Sequence, residues 1–330
     1  MFVENIQAEA FLNFVKKSQI WGMNQQNHQL KIWAGLITLY LVWGSTYLAL
    51  RFVVETVPSM MASGFRNLIA GTILFTFSII SKKYQKPTRK MLFTTIFTGF
   101  LMLTFGNGLF TIAAKWIPSS FSALFSAIGP VLLVSLLWLI NHEKPNLRVI
   151  AGAFLGIVGV GILMTLKSLA LKGYEQYYML GVLFLFLAIL AWNFGVVIVK
   201  RAMIFDFHAS QISGMQMMTG GIFSLMISLG LGEFNHFDFS IIQPKAYLSF
   251  IYLVVFGSSL AFLVFNWLSK VTSPTLVATY TYVNPLVAMI LGSLFAGERL
   301  HPIMLLAGAI IITAVILITT ARNKTTVENT

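Results

Sequence analysis

The sequence predicts an all-α membrane protein of ten transmembrane helices in a 5+5 inverted-topology repeat. Three observations predict it: an extreme apolar composition, apolar runs of spanning length, and a self-match between the two halves of the chain. Of 330 residues, 57% are apolar and 10% charged, and the mean hydropathy is +0.83, well outside the soluble globular range. A spanning helix needs about 20 mainly apolar residues, and backbone groups in lipid must be satisfied within the segment, so such runs read as helices.

Apolar windows between polar breaks predict helices at 32–52, 60–81, 91–113, 119–140, 148–166, 178–200, 211–231, 246–268, 274–296 and 302–320. The chain divides into a cytoplasmic N-terminal segment 1–31, a five-helix unit 32–166, a second five-helix unit 178–320 and a cytoplasmic tail 321–330. The breaks are short, so whatever function exists must lie in the bundle. Residues 1–22 carry Glu4 and Glu9 early and Lys16 and Lys17 late, the wrong order for a cleavable signal peptide. They read either as a dispensable surface helix or as a misread start ahead of Met23.

Lys and Arg in short loops favour the cytoplasmic side. With the N-terminus inside, fifteen of the 22 basic residues fall on that side, among them Lys82, Lys83, Lys86, Arg89 and Lys90. Five fall outside (Lys115, Lys167, Lys172, Lys245 and Arg299), and Arg51 and Arg66 lie within helices. Both termini are therefore expected in the cytoplasm, with the protein multi-pass in the cell inner (plasma) membrane.

The formal net charge of +12 sits in those loops, not on a basic face of a soluble domain, so no nucleic-acid partner is expected. Cysteine is absent, which excludes disulfides, thiol catalysis and thiolate metal sites. No cofactor and no metal are called for. The expected partners are a small-molecule substrate and membrane lipid.

The self-match runs through five successive segments with an offset drifting from 149 to 156 residues. Trp43 and Arg51 align with Trp192 and Lys200; Ser63, Gly64 and Gly71 with Ser213, Gly214 and Gly221; Phe105 and Gly106 with Phe256 and Gly257; Pro130 and Glu143 with Pro285 and Glu298. Each unit holds an odd number of spans, so the second copy enters from the opposite side. Inverted repeats with a site at their interface are an architecture of secondary transporters, because the halves can exchange roles.

The runs LYLVWGSTYLALRF, GFRNLIAG and FGNG, and above all TSPTLVATYTYVNPLVAMILGSLFAGERL around the ninth helix, resemble the EamA family of the drug/metabolite transporter superfamily. The resemblance covers about residues 32–320 and implies a ten-helix bundle, a cavity lined by helices one to four and six to nine, and export of metabolites or amino acids. It places helices five and ten at the periphery, where a homodimer contact is an option. The first copy reads HEKPN where the second reads GERLH, and substrate identity does not carry over.

Pro130 and Pro285 fall near the centres of helices four and nine, where a proline frees a carbonyl; they read as paired hinges or as packed kinks. Polar side chains cluster at matching depth: Ser122 and Ser126, Tyr280, Thr281 and Asn284, Asn107 and its equivalent Ser258, and Asn193 beside Trp192. They read as a cavity lining or as interhelical glue. Trp43 and Trp192 lie mid-span and so fit an interfacial belt poorly, whereas Trp21, Trp33, Trp116, Trp138 and Tyr247 sit near span ends and fit it well. Arg66, about six residues below the outer surface, either snorkels or faces the cavity and favours carboxylate or phosphate groups. Gly152 and Gly156 form a close-packing step on helix five. Glu143 and Glu298 are expected to organise their own tight turns with Lys144 and Arg299, beside His142 and His301.

An intramembrane enzyme would need buried acid–base, nucleophile or metal constellations, and the sequence offers no HExxH, no paired mid-membrane carboxylates and no Cys. The expected function is a secondary exporter of small organic metabolites, amino acids or related neutral, zwitterionic or anionic compounds. A passive channel or lipid scramblase is the runner-up, separated from a carrier by saturable transport.

Overall fold

The computed structural model describes residues 29–141, 147–165, 175–202, 206–235, 237–272, 274–277, 279–298 and 300–320, and no strand occurs among them. We number the helices α1 Gln29–Val54, α2 Ser59–Ile80, α3 Arg89–Ala113, α4 Ser119–Ile140, α5 Leu147–Met164, α6 Tyr178–Ala202, α7 Ala209–Gly230, α8 Pro244–Val271, α9 Tyr280–Ala296 and α10 Pro302–Thr320. Seven of them, α1 to α4 and α6 to α8, are long and apolar enough to cross a membrane, while α5, α9 and α10 contain shorter apolar stretches. Large apolar side chains such as Phe77, Phe93, Phe154, Leu294 and Phe295 point outward and exposed. That is the surface a bundle presents to hydrocarbon.

The helices α2 and α7 pack along one another and are near-copies. Both have 22 residues, and both ends are offset by 150. Each ends on a left-handed residue, Lys82 at φ 56° and Gly232 at φ 69°. In each the next N–H returns to the last turn: Lys83 N donates to Ser78 O at 3.0 Å and Glu233 N to Ser228 O at 3.1 Å. With Lys82 N donating to Ile79 O and Gly232 N to Leu229 O, this closes orphan carbonyls as a Schellman motif.

They pack antiparallel, and their glycines permit it. A Cβ on Gly71 would lie 2.5 Å from Met218 N, and one on Gly221 would lie 2.5 Å from Leu68 N. Because Leu68 and Met218 are themselves related by the 150-residue offset, the two contacts are images of one another. Contacts at the two ends agree. Glu233, past the end of α7, accepts from Met60 N and Met61 N at the start of α2 at 3.3 and 2.8 Å. Gln85, past the end of α2, exchanges hydrogen bonds with the Gln211 side chain on α7 at 3.0 and 2.6 Å.

Both α3 and α8 are interrupted by an eight-residue π-helical segment, Phe100–Asn107 and Leu253–Leu260. Such segments widen the helix and are found mostly at functional sites. The main apolar core joins α4, α5, α6 and α10 through residues such as Phe121, Leu124, Val160, Leu185 and Ile311. The glycine step of α5 is used inside the chain: a Cβ on Gly152 would meet Ala314 O of α10 at 2.8 Å.

Glu298 serves a different turn from the one expected. Its carboxylate accepts from Ser119 N, Ser119 Oγ and Ser120 N at 2.8, 2.7 and 3.0 Å, capping the start of α4. It also pairs with Arg51 of α1. Glu143, His142, Lys144, Arg299, Trp21 and residues 1–22 lie outside the described residues.

Candidate functional site

A cavity of about 230 Å3 lies within the bundle, with walls supplied by α1 to α4 and α6 to α9. Aromatic rings dominate one part of it. The Trp43 ring meets Trp192 edge-on with centroids 6.3 Å apart, and meets Tyr280 edge-on at 4.9 Å. Trp43 is fixed by donating its indole N–H to Gly257 O at 3.2 Å, on the π segment of α8. Polar residues of α1 and α9 lock the neighbouring layer: the Tyr40 hydroxyl lies 2.5 Å from Thr279 Oγ1. With its amide nitrogen turned toward them, Asn284 donates to the carbonyls of Tyr40 and Tyr280 at 3.2 and 3.1 Å.

The π segments deliver the next group. Asn107 closes the first, Ser258 lies in the second, and both line the cavity with Gly106 and Gly257. Arg66 of α2 is buried, with 8% of its surface exposed, and its Nε donates to Ser258 Oγ at 2.7 Å. Snorkelling toward the headgroups is therefore not how this arginine is accommodated. Its counterpart Gln216 is also buried but donates to Thr98 Oγ1 at 2.8 Å and does not line the cavity.

The wall from α4 carries Ser126 and Pro130. Here the helix breaks between its segments Ser119–Ser126 and Gly129–Asn141. Ala127 N and Ile128 N reach only three residues back, to Leu124 O and Phe125 O at 3.1 Å each. Pro285, by contrast, sits inside α9 without interrupting it. Asn193 of α6 lines the wall and returns its amide to Ile189 O at 2.8 Å.

The cavity thus gathers Trp43, Arg66, Asn107, Ser126, Pro130, Trp192, Asn193, Ser258, Tyr280, Thr281, Asn284 and Pro285. Ser122 is the exception. It lies in the N-terminal segment of α4, the part packed against α9, and its buried hydroxyl has no hydrogen-bond partner among the described residues. Sequence reasoning also missed Tyr47 and Phe110, which line the cavity and meet edge-on at 5.5 Å. Tyr47 is one helical turn beyond Trp43 and Phe110 one turn beyond Asn107, so the i, i+4 and i, i+3 spacings were the available signal. Of the residues expected near span ends, Trp33, Trp138 and Tyr247 are exposed, whereas Trp116 is half-buried and stacks on Tyr177 with centroids 5.4 Å apart.

Among the described residues no group of His, Cys, Asp or Glu is placed to hold a metal ion, and none of the residues lining the cavity is acidic. What the arrangement can do is hold a small solute through ring faces, amide and hydroxyl groups and one guanidinium.

Comparison with known proteins adds the following. The model of the EamA-like transporter family matches twice, over residues 31–165 and 179–320. The chain is 30% identical over 292 residues to the uncharacterized inner membrane transporter YedA of Escherichia coli (strain K12), covering 88% of this chain and 91% of that one. It is 27% identical to the uncharacterized transporter YvbV of Bacillus subtilis (strain 168), again over 88% and 91%. A solved crystal structure shares the fold, with a TM-score of 0.61 at 17% identity over 86% of this chain and 94% of that one.

Proposed function

This chain belongs to the EamA-like transporter family and is a multi-pass membrane transporter of small molecules; on that premise we propose that it exports small organic metabolites across the cell inner membrane by alternating access. The solutes are amino acids or related neutral, zwitterionic or anionic compounds. Ten spans form two inverted halves, with α5, α9 and α10 crossing as short helices and both termini in the cytoplasm.

The observation that carries this reading is the antiparallel packing of α2 on α7 about image contacts 150 residues apart. A duplicated unit whose second helix meets its own copy antiparallel is a unit inserted in both directions, and alternating access follows when the halves exchange roles about the site between them. The paired π segments and the double family match support it further. Pro130 and Pro285 serve as hinges, with the break in α4 already present and α9 still continuous. Ser122 remains in the reading only as a second-layer neighbour of Ser126, whose hydroxyl donates to Ser122 O at 2.7 Å. The inward glycine face of α5 leaves only the outer faces of α5 and α10 for a homodimer contact.

The test is counterflow. Protein in liposomes loaded with unlabelled amino acids should take up the labelled compound faster than empty liposomes do, and uptake should saturate. Non-saturating flux without acceleration by internal solute would favour a passive channel and sink the carrier reading.

A further inference from the structure

Arg66 contributes the single fixed charge among the described residues that line the cavity. An arginine stays protonated in proteins, and this one is nine-tenths buried. Its Nε is taken by Ser258 Oγ at 2.7 Å, while its two terminal amino groups have no acceptor among the described residues. Among the described residues no Asp or Glu forms an ion pair with it; the ion pairs there are Arg51 with Glu298 and Lys245 with Glu55.

A buried cation lacking a counter-ion is costly, and the free edge of a guanidinium matches a carboxylate through two parallel N–H donors. The rest of the lining defines the partner's other end. Trp43, Trp192 and Tyr280 offer an apolar aromatic surface. An α-ammonium group would find no ionised acceptor there, only neutral oxygens such as those of Asn107 and Ser126 and ring faces worth about 0.5 to 2 kcal/mol. The volume of about 230 Å3 is below the range of roughly 300 to 1,000 Å3 typical of drug-sized pockets.

The geometry points to a carboxylate subsite at Arg66: the transported solute is a small organic anion whose carboxylate pairs with the terminal guanidinium nitrogens and whose apolar body lies on Trp43, Trp192 and Tyr280. Ser258 is the positioning residue, because its hydroxyl holds Nε and so aims the free edge. The π segment that carries Ser258 also carries Gly257, the acceptor for Trp43, so one segment registers both the charge and the aromatic wall. This narrows the transporter reading above and rests on it.

The experiment is calorimetric titration of the purified full-length protein in phosphatidylcholine nanodiscs with three probes: 3-phenylpropanoate, its amide and phenylalanine. Wild type should bind the acid about tenfold or more tighter than the amide, with phenylalanine between them. Arg66→Gln should abolish the acid preference, Arg66→Lys should keep part of it, and Ser258→Ala should reduce it. Equal affinity for acid and amide, tighter binding of phenylalanine than of the acid, or no binding of the acid at about 10 mM would overturn the subsite. Loss of acid binding when phosphatidylglycerol is added to the disc would assign Arg66 to a lipid headgroup and overturn it equally. Flux separates the two readings: intact acid preference in binding, with no transport of any probe in liposomes, would sink the transporter and leave the subsite standing.

Discussion

Replacing Glu298 by Gln removes one negative charge from a position where four groups converge on it. The carboxylate accepts three hydrogen bonds from Ser119 and Ser120 and pairs with Arg51, and the two charged side chains are only 5% and 13% exposed. An amide of the same shape places an N–H where Ser120 N must donate, and it leaves Arg51 without its partner. Hydrogen bonds to a charged group contribute about 1.5 to 3 kcal/mol each, and breaking a buried pair from one side costs about 3 to 5 kcal/mol. Allowing for the partial exposure of Arg51, Glu298→Gln should destabilise the fold by about 3 kcal/mol at neutral pH. The pH dependence has a definite sign. Burial alone raises the Glu298 pKa, but the Ser120 and Ser119 hydrogen bonds and the Arg51 charge outweigh it and hold the group below its ordinary value of 4.5. A folded-state pKa depressed in this way stabilises fully above the ordinary value, and the contribution is lost as pH falls through the folded value. Melting curves of detergent-solubilised wild type and variant should therefore lie well apart from pH 8 to about pH 5 and converge in stronger acid. A double-mutant cycle with Arg51→Gln should show coupling above about 1 kcal/mol. Superimposable melting curves at pH 7 would refute the cap.

Gly221→Ala places a Cβ 2.5 Å from Leu68 N, a backbone atom that cannot step aside, and should cost about 1 to 3 kcal/mol; Gly230→Ala, where a Cβ meets nothing within 4 Å, is the control for that melting experiment. Pro285→Ala restores a backbone donor inside α9 and should slow turnover in liposomes while leaving insertion and binding intact; unchanged turnover would return Pro285 to ordinary packing. Tyr47→Phe keeps the edge-on contact with Phe110 and removes only the hydroxyl from the cavity wall, so solute affinity should change by less than about tenfold, whereas Tyr47→Ala should reduce it further.

Seven spans were legible because hydrocarbon imposes a simple length rule, and α4 begins and ends where the apolar run predicts, whereas the expected helix 274–296 is divided into Pro274–Val277 and Tyr280–Ala296. Much of the cavity was legible for a related reason: a Trp, Asn or Arg in mid-span must turn inward, as Trp43, Asn193 and Arg66 do. Ser122 misled because Ser is small enough to be buried in a helix contact as readily as in a cavity wall. The partners of Glu298 were not legible. Arg51 lies 247 residues away in the chain, and the chemistry of a GER turn gives no hint of which helix start it will cap. Nor were the π segments, since FGNG and FGSS contain nothing that forbids an ordinary helix; the first packs against α6 and α7 through contacts such as Gly195 on Met102 and Thr104 on Gly220 O, and the second packs against α2. The offset of about 150 residues was visible in the sequence, but that α2 and α7 face one another was visible only in the fold.

Because the natural chain contains no cysteine, accessibility of three single cysteines tests the central claim most directly. An impermeant thiol reagent is applied in turn to each face of oriented vesicles carrying Gln85→Cys, His301→Cys or Asn107→Cys. Two inverted halves around a shared cavity predict labelling of position 85 only from the cytoplasmic face, of position 301 only from the outer face, and of position 107 from either face. Labelling of positions 85 and 301 from the same side would contradict the inversion, and labelling of position 107 from one side alone would contradict alternating access.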